Sequence, residues 1–254
     1  MMPRVRIAAA GDLHADERVA PRIHEAFDHV ADAADLVLLA GDLTAHGEPH
    51  EMEVIAAACA RLDLPVYAVL GNHDHHANRI AALTSILEGA GVVVLERSWT
   101  TASANGTRLG IAGTKGFVGG FPGSTLPDFG EALLREVYAE TGKDVAALDR
   151  ALEEIAECPL RVVLLHYSPT MSTLVGEPES IWTYLGSNRL DGPIQKHHPD
   201  LVLHGHAHAG TFAGAIGPVP VYNVAVHVMR RDFFVFELDT DAPDGHGARL
   251  EATV

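Results

Sequence analysis

Short apolar runs punctuate this chain, and five of them end in clusters of Asp, Asn and His. Val5–Ala10 leads into Gly11-Asp12-Leu13-His14, Leu36–Ala40 into Gly41-Asp42, and Val66–Leu70 into Gly71-Asn72-His73-Asp74. Val162–Leu165 leads into His166, and Leu201–Leu203 into His204-Gly205-His206-Ala207-His208. Runs of β-branched and aliphatic residues that stop at such clusters predict buried strands ending in loops. Helical periodicity fills the gaps in the first ninety residues. Ala20–Ala34 places Ile23, Phe27 and Val30 on one face. Pro49 suits a first helical turn, and Met52, Ile55, Cys59 and Leu62 follow on one face. Ile80, Leu83 and Leu87 mark a third helix. Alternating strands and helices predict an α/β fold with parallel strands.

After Gly91 the pattern changes. Val92–Leu95, Trp99–Ser103 and Thr107–Ala112 read as successive strands, with Asn105-Gly106 as a hairpin turn. The glycine-rich stretch 113–123 predicts a loop, and 128–157 a helical region broken near Gly142. Residues 167–192 read as irregular, whereas Leu201–His204, Val219–Val224 and Phe233–Leu238 read as strands. The polar tail from about 239 to 254 is expected to end in an edge strand at Arg249–Val254. Ligand-type clusters come from both halves of the chain, so we expect one domain over 1–254.

The chain has 254 residues, 47% of them hydrophobic, enough for a substantial core. Against 18 Lys plus Arg stand 34 Asp plus Glu, a formal charge of −16. Nucleic-acid binding relies on Lys and Arg at phosphates, so no nucleic-acid polymer is expected as a partner. No stretch approaches the roughly 20 apolar residues of a membrane helix. Met1–Arg6 runs directly into the first strand, leaving no room for a signal peptide. Cys59 and Cys158 are expected to be buried free thiols. Together these features predict a cytoplasmic protein.

The polar clusters carry the chemistry. Asp12 and His14 are two residues apart, which in an extended segment would let both hold one ion. The two oxygens of Asp42 could bridge two cations. Asn72 offers a neutral oxygen, while His73 beside it is open to a proton-donor role or to that of a loop residue. A lone strand-end His such as His166 is ordinarily a hydrogen-bonded core residue. The most specific element is His206-Ala207-His208, two imidazoles at a natural metal-binding spacing. His204, of opposite parity, is expected to pack behind it. Oxygen and imidazole donors without thiolate suit Mn, Fe, Zn or Co.

The ordered set Asp-x-His, Gly-Asp, Gly-Asn-His-Asp, His, Gly-His-x-His resembles the sequence blocks of the calcineurin-like metallophosphoesterases, over roughly residues 5–210. The resemblance implies two mixed β-sheets packed as a sandwich and flanked by helices. It implies two divalent or transition-metal ions and a bridging hydroxide. Asp12, His14 and His208 would bind one ion, Asn72, His166 and His206 the other, with Asp42 shared. His73 would act on the leaving group, and Asp74 could fix its ring. The expected reaction is hydrolysis of a small phosphodiester, cyclic-nucleotide-like, or of a phosphomonoester.

The Arg that grips phosphate in the protein phosphatase branch has no counterpart in Gly41-Asp42-Leu43-Thr44-Ala45-His46-Gly47. The Gly-Asp-Leu-Thr form looks more like the bacterial small-phosphodiester branch. His46 could contact phosphate or stand as a loop residue. Lys115, in the glycine-rich loop, and Trp182, in the irregular segment, are candidate substrate contacts. A non-catalytic scaffold and a nuclease are the competing readings. The first would be expected to have lost ligands, and the second to carry a basic groove.

Overall fold

The computed structural model describes residues 4–239 and the backbone of 248–251. In chain order the first strands are β1 (Arg4–Ala10), β2 (Leu36–Ala40), β3 (Val66–Val69), β4 (Val93–Val94), β5 (Ser98–Ala104), β6 (Thr107–Gly113) and β7 (Gly120–Phe121). They are followed by β8 (Ser124–Thr125), β9 (Leu160–Leu164), β10 (Leu201–His204), β11 (Ala213–Ile216), β12 (Val219–Asn223), β13 (Phe234–Asp239) and β14 (Ala248–Glu251). The helices are α1 (Ala20–Val30), α2 (Pro49–Cys59), α3 (Asn72–His75), α4 (Ile80–Gly89), α5 (Ala132–Glu154), α6 (Trp182–Leu185), α7 (Asp191–His197) and α8 (Val226–Met229).

Two six-stranded mixed sheets form the centre, ordered β14-β13-β1-β2-β3-β4 and β11-β12-β10-β9-β6-β5. In the first, β1 through β4 run parallel and β13 is antiparallel to β1. In the second, β6, β9, β10 and β12 run parallel. Alternation within the second sheet assigns its two faces. Leu109, Ile111, Val162, Leu164, Leu201 and Leu203 join one continuous core with β1, β2 and β3. Their neighbours Ala112, Val163 and Val202 face Leu148, Leu152 and Ile155 at α5 and Ile194 of α7. Ile23, Phe27, Met52, Ile55 and Leu83 bring α1, α2 and α4 into the first core. The result is the expected sandwich between helical layers. Strands covered on both faces need no polar alternation, which is why Leu36–Ala40 is apolar throughout and wholly buried.

Local chemistry sets several boundaries. Pro49 opens α2, and the Glu51 carboxylate accepts from the Glu48 N–H at 3.3 Å. Asn105 and Gly106 both have positive φ, 51° and 81°, as the expected β5–β6 hairpin turn requires. Cys59 and Cys158 are buried and free, and burial pushes the Cys59 thiol up to about 12.

Three expectations change. Helix α5 is not broken near Gly142. The position is held through by Thr141, whose hydroxyl donates to the Val118 carbonyl at 2.6 Å, and by buried Asp144, bonded to Arg97 at 2.9 Å. Tertiary contacts of this kind outweigh the roughly 1 kcal/mol cost of a helical Gly. The loop 113–123 is docked, with Gly119 and Gly120 donating to the carbonyls of Thr183 and Gly186. Residues 167–192 contain α6 and short 3₁₀ turns. The edge strand expected at 249–254 is seen as β14, paired with β13, while 252–254 lie outside the described residues. Among the described residues no helix is long and apolar enough to cross a membrane.

Candidate metal centre

All five polar clusters sit just beyond the carboxyl ends of parallel strands, where open α/β sheets place their sites. Asp12 and His14 follow β1, Asp42 follows β2, and Asn72 and His73 open α3 after β3. His166 follows β9, and His206 and His208 follow β10. Because β1–β3 belong to one sheet and β9–β10 to the other, the site lies where the two sheets meet at one end.

The backbone there is unusual. Asp12, His14, Asp42 and His206 have φ of 59°, 43°, 49° and 71°. Left-handed conformations are costly for residues with a Cβ and cluster at functional sites. Asp12 and His14 therefore meet through a left-handed turn, not through the strand alternation that their spacing suggested. Glycines make room beside them. A Cβ on Gly71 would sit 2.1 Å from Asp42 Oδ1, and one on Gly41, whose φ is +81°, would sit 2.7 Å from His166 Nδ1.

Two groups of donors result. Atoms of Asp12, His14, Asp42 and His208 lie within 4.8 Å of one another, as do atoms of Asp42, His166 and His206. In the first group Asp12 Oδ1 is 2.8 Å from His208 Nε2, which is 3.4 Å from His14 Nε2. In the second, His166 Nε2 is 3.3 Å from Asp42 Oδ1 and 2.9 Å from Asn72 Oδ1. Asp42 belongs to both groups.

Hydrogen bonds behind the donors fix their tautomers. The Ala40 carbonyl, 2.9 Å from His166 Nδ1, can only accept, so Nδ1 carries the proton and Nε2 presents its lone pair. The Tyr184 carbonyl engages His206 Nε2 at 3.1 Å and leaves Nδ1 free to ligate. Asp12 also accepts from the His206 N–H at 2.9 Å. His166 Nε2 thus points a lone pair at two oxygen acceptors. Such an arrangement repels itself unless a cation or a further proton lies between, so the donors fit a metal ion.

Electrostatics agree. Burial, with the Asp12 charge, pushes Asp42 up. Burial would also raise Asp12, but the His208 hydrogen bond and the His166 and His208 charges hold it below the usual carboxylate range. Burial lowers His14 to about 4 and His206 to about 3, so both are neutral and able to ligate at pH 7. The Asp12 hydrogen bond raises His208.

His73 stands beside the donors. Its Nδ1 donates to the Ala45 carbonyl at 2.7 Å, and its Nε2 is 4.0 Å from Asp42 Oδ2. Ala45 therefore orients this ring, and Asp74 does not. The buried Asp74 carboxylate instead accepts from Leu43 N, Thr44 N, Thr44 Oγ1 and Gly71 N, tying the Asp42 loop to the Asn72 loop. His204 packs behind the site as expected, its Nε2 2.9 Å from Thr173 Oγ1. His46 is held by Glu51 at 2.8 Å.

Lys115 and Trp182 are not among the converging donors. Lys115 Nζ lies over the Phe117 and Tyr167 rings, 4.4 and 4.9 Å from their centroids. The Tyr167 ring in turn lies 4.4 Å from that of His206. Trp182 lines a neighbouring cavity. One residue given no role from the sequence joins the site: the His227 ring stacks on His208 at 4.3 Å and 13°. The only signal for it was a His shortly after the strand end at Asn223.

The model of the calcineurin-like phosphoesterases matches residues 5–210. No curated protein matches the chain. Among solved structures, phosphopantetheinyl hydrolase (PptH) from Mycobacterium tuberculosis is 16% identical with a TM-score of 0.68, over 91% of this chain and 92% of that one. GAP50, the anchor in the inner membrane complex of Plasmodium, is 12% identical with a TM-score of 0.63, over 99% and 90%. A phosphatase of Mycoplasma pneumoniae is 14% identical with a TM-score of 0.58, over 100% and 94%. At these identities the structures share the fold. With the family match spanning most of its length, the chain belongs to the calcineurin-like phosphoesterase family, whose general activity is metal-dependent phosphoester hydrolysis.

Proposed function

We propose that this protein hydrolyses a small phosphodiester or phosphomonoester at a dinuclear metal centre. The observation that carries this reading is the division of the donors into two groups sharing Asp42. Asp12, His14 and His208 would hold one cation and Asn72, His166 and His206 the other, with Asp42 reaching both. The donor chemistry suits Mn, Fe, Zn or Co. When bound, such ions polarise phosphoryl oxygens and lower the pKa of a water.

The chain's own residues supply the rest. The Ala40 and Tyr184 carbonyls hold the His166 and His206 imidazoles in ligating tautomers, and the His206 backbone N–H, donating to Asp12, fixes the His206 loop. His73 keeps Nδ1–H on the Ala45 carbonyl, which leaves Nε2 as the atom from which a proton would pass to the departing oxygen. Lys115, behind Tyr167, places positive charge near the site. The charge of −16 favours a small substrate over a nucleic-acid polymer. GAP50 is named as an anchor, but a scaffold has no use for neutral imidazoles and buried carboxylates facing one another.

The reading is tested by stripping metal, adding back Mn²⁺, and assaying mono- and bis-p-nitrophenyl phosphate. Hydrolysis that returns with Mn²⁺ supports it. A protein that binds Mn²⁺ yet hydrolyses neither ester refutes it. The ratio of the two rates assigns monoester or diester preference.

A further inference from the structure

Beside the metal centre lies a cavity of about 530 Å³ to which the ligand assignments give no role. Phe121, Pro169, Met171, Val175 and Trp182 supply apolar walls. Among the described residues lining it, Asp191 is the one ionisable side chain, and its carboxylate accepts from Gln195 at 2.5 Å. No Lys or Arg lines it. A second cavity of about 210 Å³ shares Phe121, Pro122 and Trp182 with the first.

The cavity is built from the same segment that shapes the metal centre. Pro169 follows His166 by three residues. Trp182 begins the four-residue helix α6, and Tyr184 of that helix holds His206 through its carbonyl. Met171 and Trp182 pack against a small cluster of Phe121, Leu174, Leu185 and Ala207, and Ala207 stands between His206 and His208. The wall of the cavity and the backbone of the His206 loop are therefore one packed unit. The Trp182 indole N–H is already used, donating to the Glu177 carbonyl at 3.1 Å, which leaves its ring as an apolar surface. Val175, Ile181 and Tyr184 of this segment are exposed, so apolar surface continues from the cavity to solvent.

The lining also defines what would fit. A second phosphate on the ligand would meet an acid and no compensating base. Apolar walls with a few polar groups suit an uncharged organic group, as in ligand pockets generally. We propose that this cavity is the subsite for an uncharged, largely apolar organic arm of the phosphoester, and that it disfavours an arm carrying further phosphate. The proposal rests on the hydrolase reading above for the location of the phosphorus.

A series of alkylphosphonates from methyl to hexyl, bound to the Mn²⁺-loaded protein and followed by calorimetry, reads the subsite without turnover. The dissociation constant is expected to fall about fourfold per methylene once the chain enters the cavity, since burying each CH₂ is favourable. Trp182→Ala should flatten this dependence. Val175→Asp, at an exposed position that tolerates charge, should weaken the hexyl ligand selectively and tests the same point if the tryptophan variant does not fold. Equal affinity along the series, or no binding, overturns the subsite. Mono- and bis-p-nitrophenyl phosphate both left intact by a protein that still shows the length dependence would refute the hydrolase reading and leave the subsite standing.

Discussion

Asp74 Oδ1 accepts two hydrogen bonds from Thr44, one from its N–H at 2.9 Å and one from its hydroxyl at 2.6 Å. Its other oxygen accepts from Leu43 and Gly71. One buried carboxylate thus joins the loop carrying Asp42 to the turn carrying Asn72 and His73. Asp74→Ala would leave several buried N–H groups unpaired, and each such group costs about 1–3 kcal/mol. We expect a loss of roughly 2–4 kcal/mol in urea denaturation of the metal-free protein. A variant within about 0.5 kcal/mol of wild type would show that these bonds do not hold the loops.

The proton-donor role proposed for His73 has a consequence that depends on the leaving group. His73→Gln should lower kcat about a hundredfold for an alkyl ester, which leaves poorly without a proton. It should matter far less for p-nitrophenolate, and cation content should be unchanged. An equal loss on both esters together with lost metal would instead make His73 a ligand.

The parallel His208–His227 stack, 4.3 Å between centroids, backs the ring of a proposed metal ligand. His227→Ala is expected to weaken Mn²⁺ binding about tenfold, in the range seen for residues that orient ligands. His227→Phe keeps the aromatic face and should restore most of the affinity. Calorimetric titration of both variants decides this, and equal weakening in the two would exclude stacking as the cause.

His204, two residues before His206 and packed behind the site, gives a pH dependence of its own. It is fully buried, and burial lowers it to about 4 from the ordinary 6.5. Between those values the unfolded chain binds more protons than the folded one, so stability rises with pH. The contribution is complete above pH 6.5 and is lost as pH falls toward 4, amounting to roughly 3 kcal/mol. His204→Gln does not titrate, so its stability should fall less over the same interval. Parallel stability–pH curves for the two proteins would contradict the assignment.

How much of this could be read from the sequence follows from which interactions have sequence signatures. The five strand ends were legible because doubly buried strands are written as unbroken apolar runs, and ligand side chains declare their chemistry by residue type. The partners that orient those ligands were not. Ala40, Ala45 and Tyr184 act through backbone carbonyls, which every residue possesses. Asp74 was linked to His73 because they are adjacent, whereas its partners at Leu43 and Thr44 are some thirty residues away. Gly142 reads as a break until the contacts of Thr141 and Asp144 are known. Strand β11, Ala213–Ile216, exists because it pairs with β12, and its small residues carry little strand signal.

Asp42 offers the most direct test, because it is the one residue common to both donor groups. Metal content and turnover should be measured together on wild type and Asp42→Ala after Mn²⁺ reconstitution. The account predicts about two cations per chain in wild type, as in two-metal hydrolases, with marked loss of both cations and of hydrolysis in the variant. Full cation content and undiminished turnover in Asp42→Ala would contradict it.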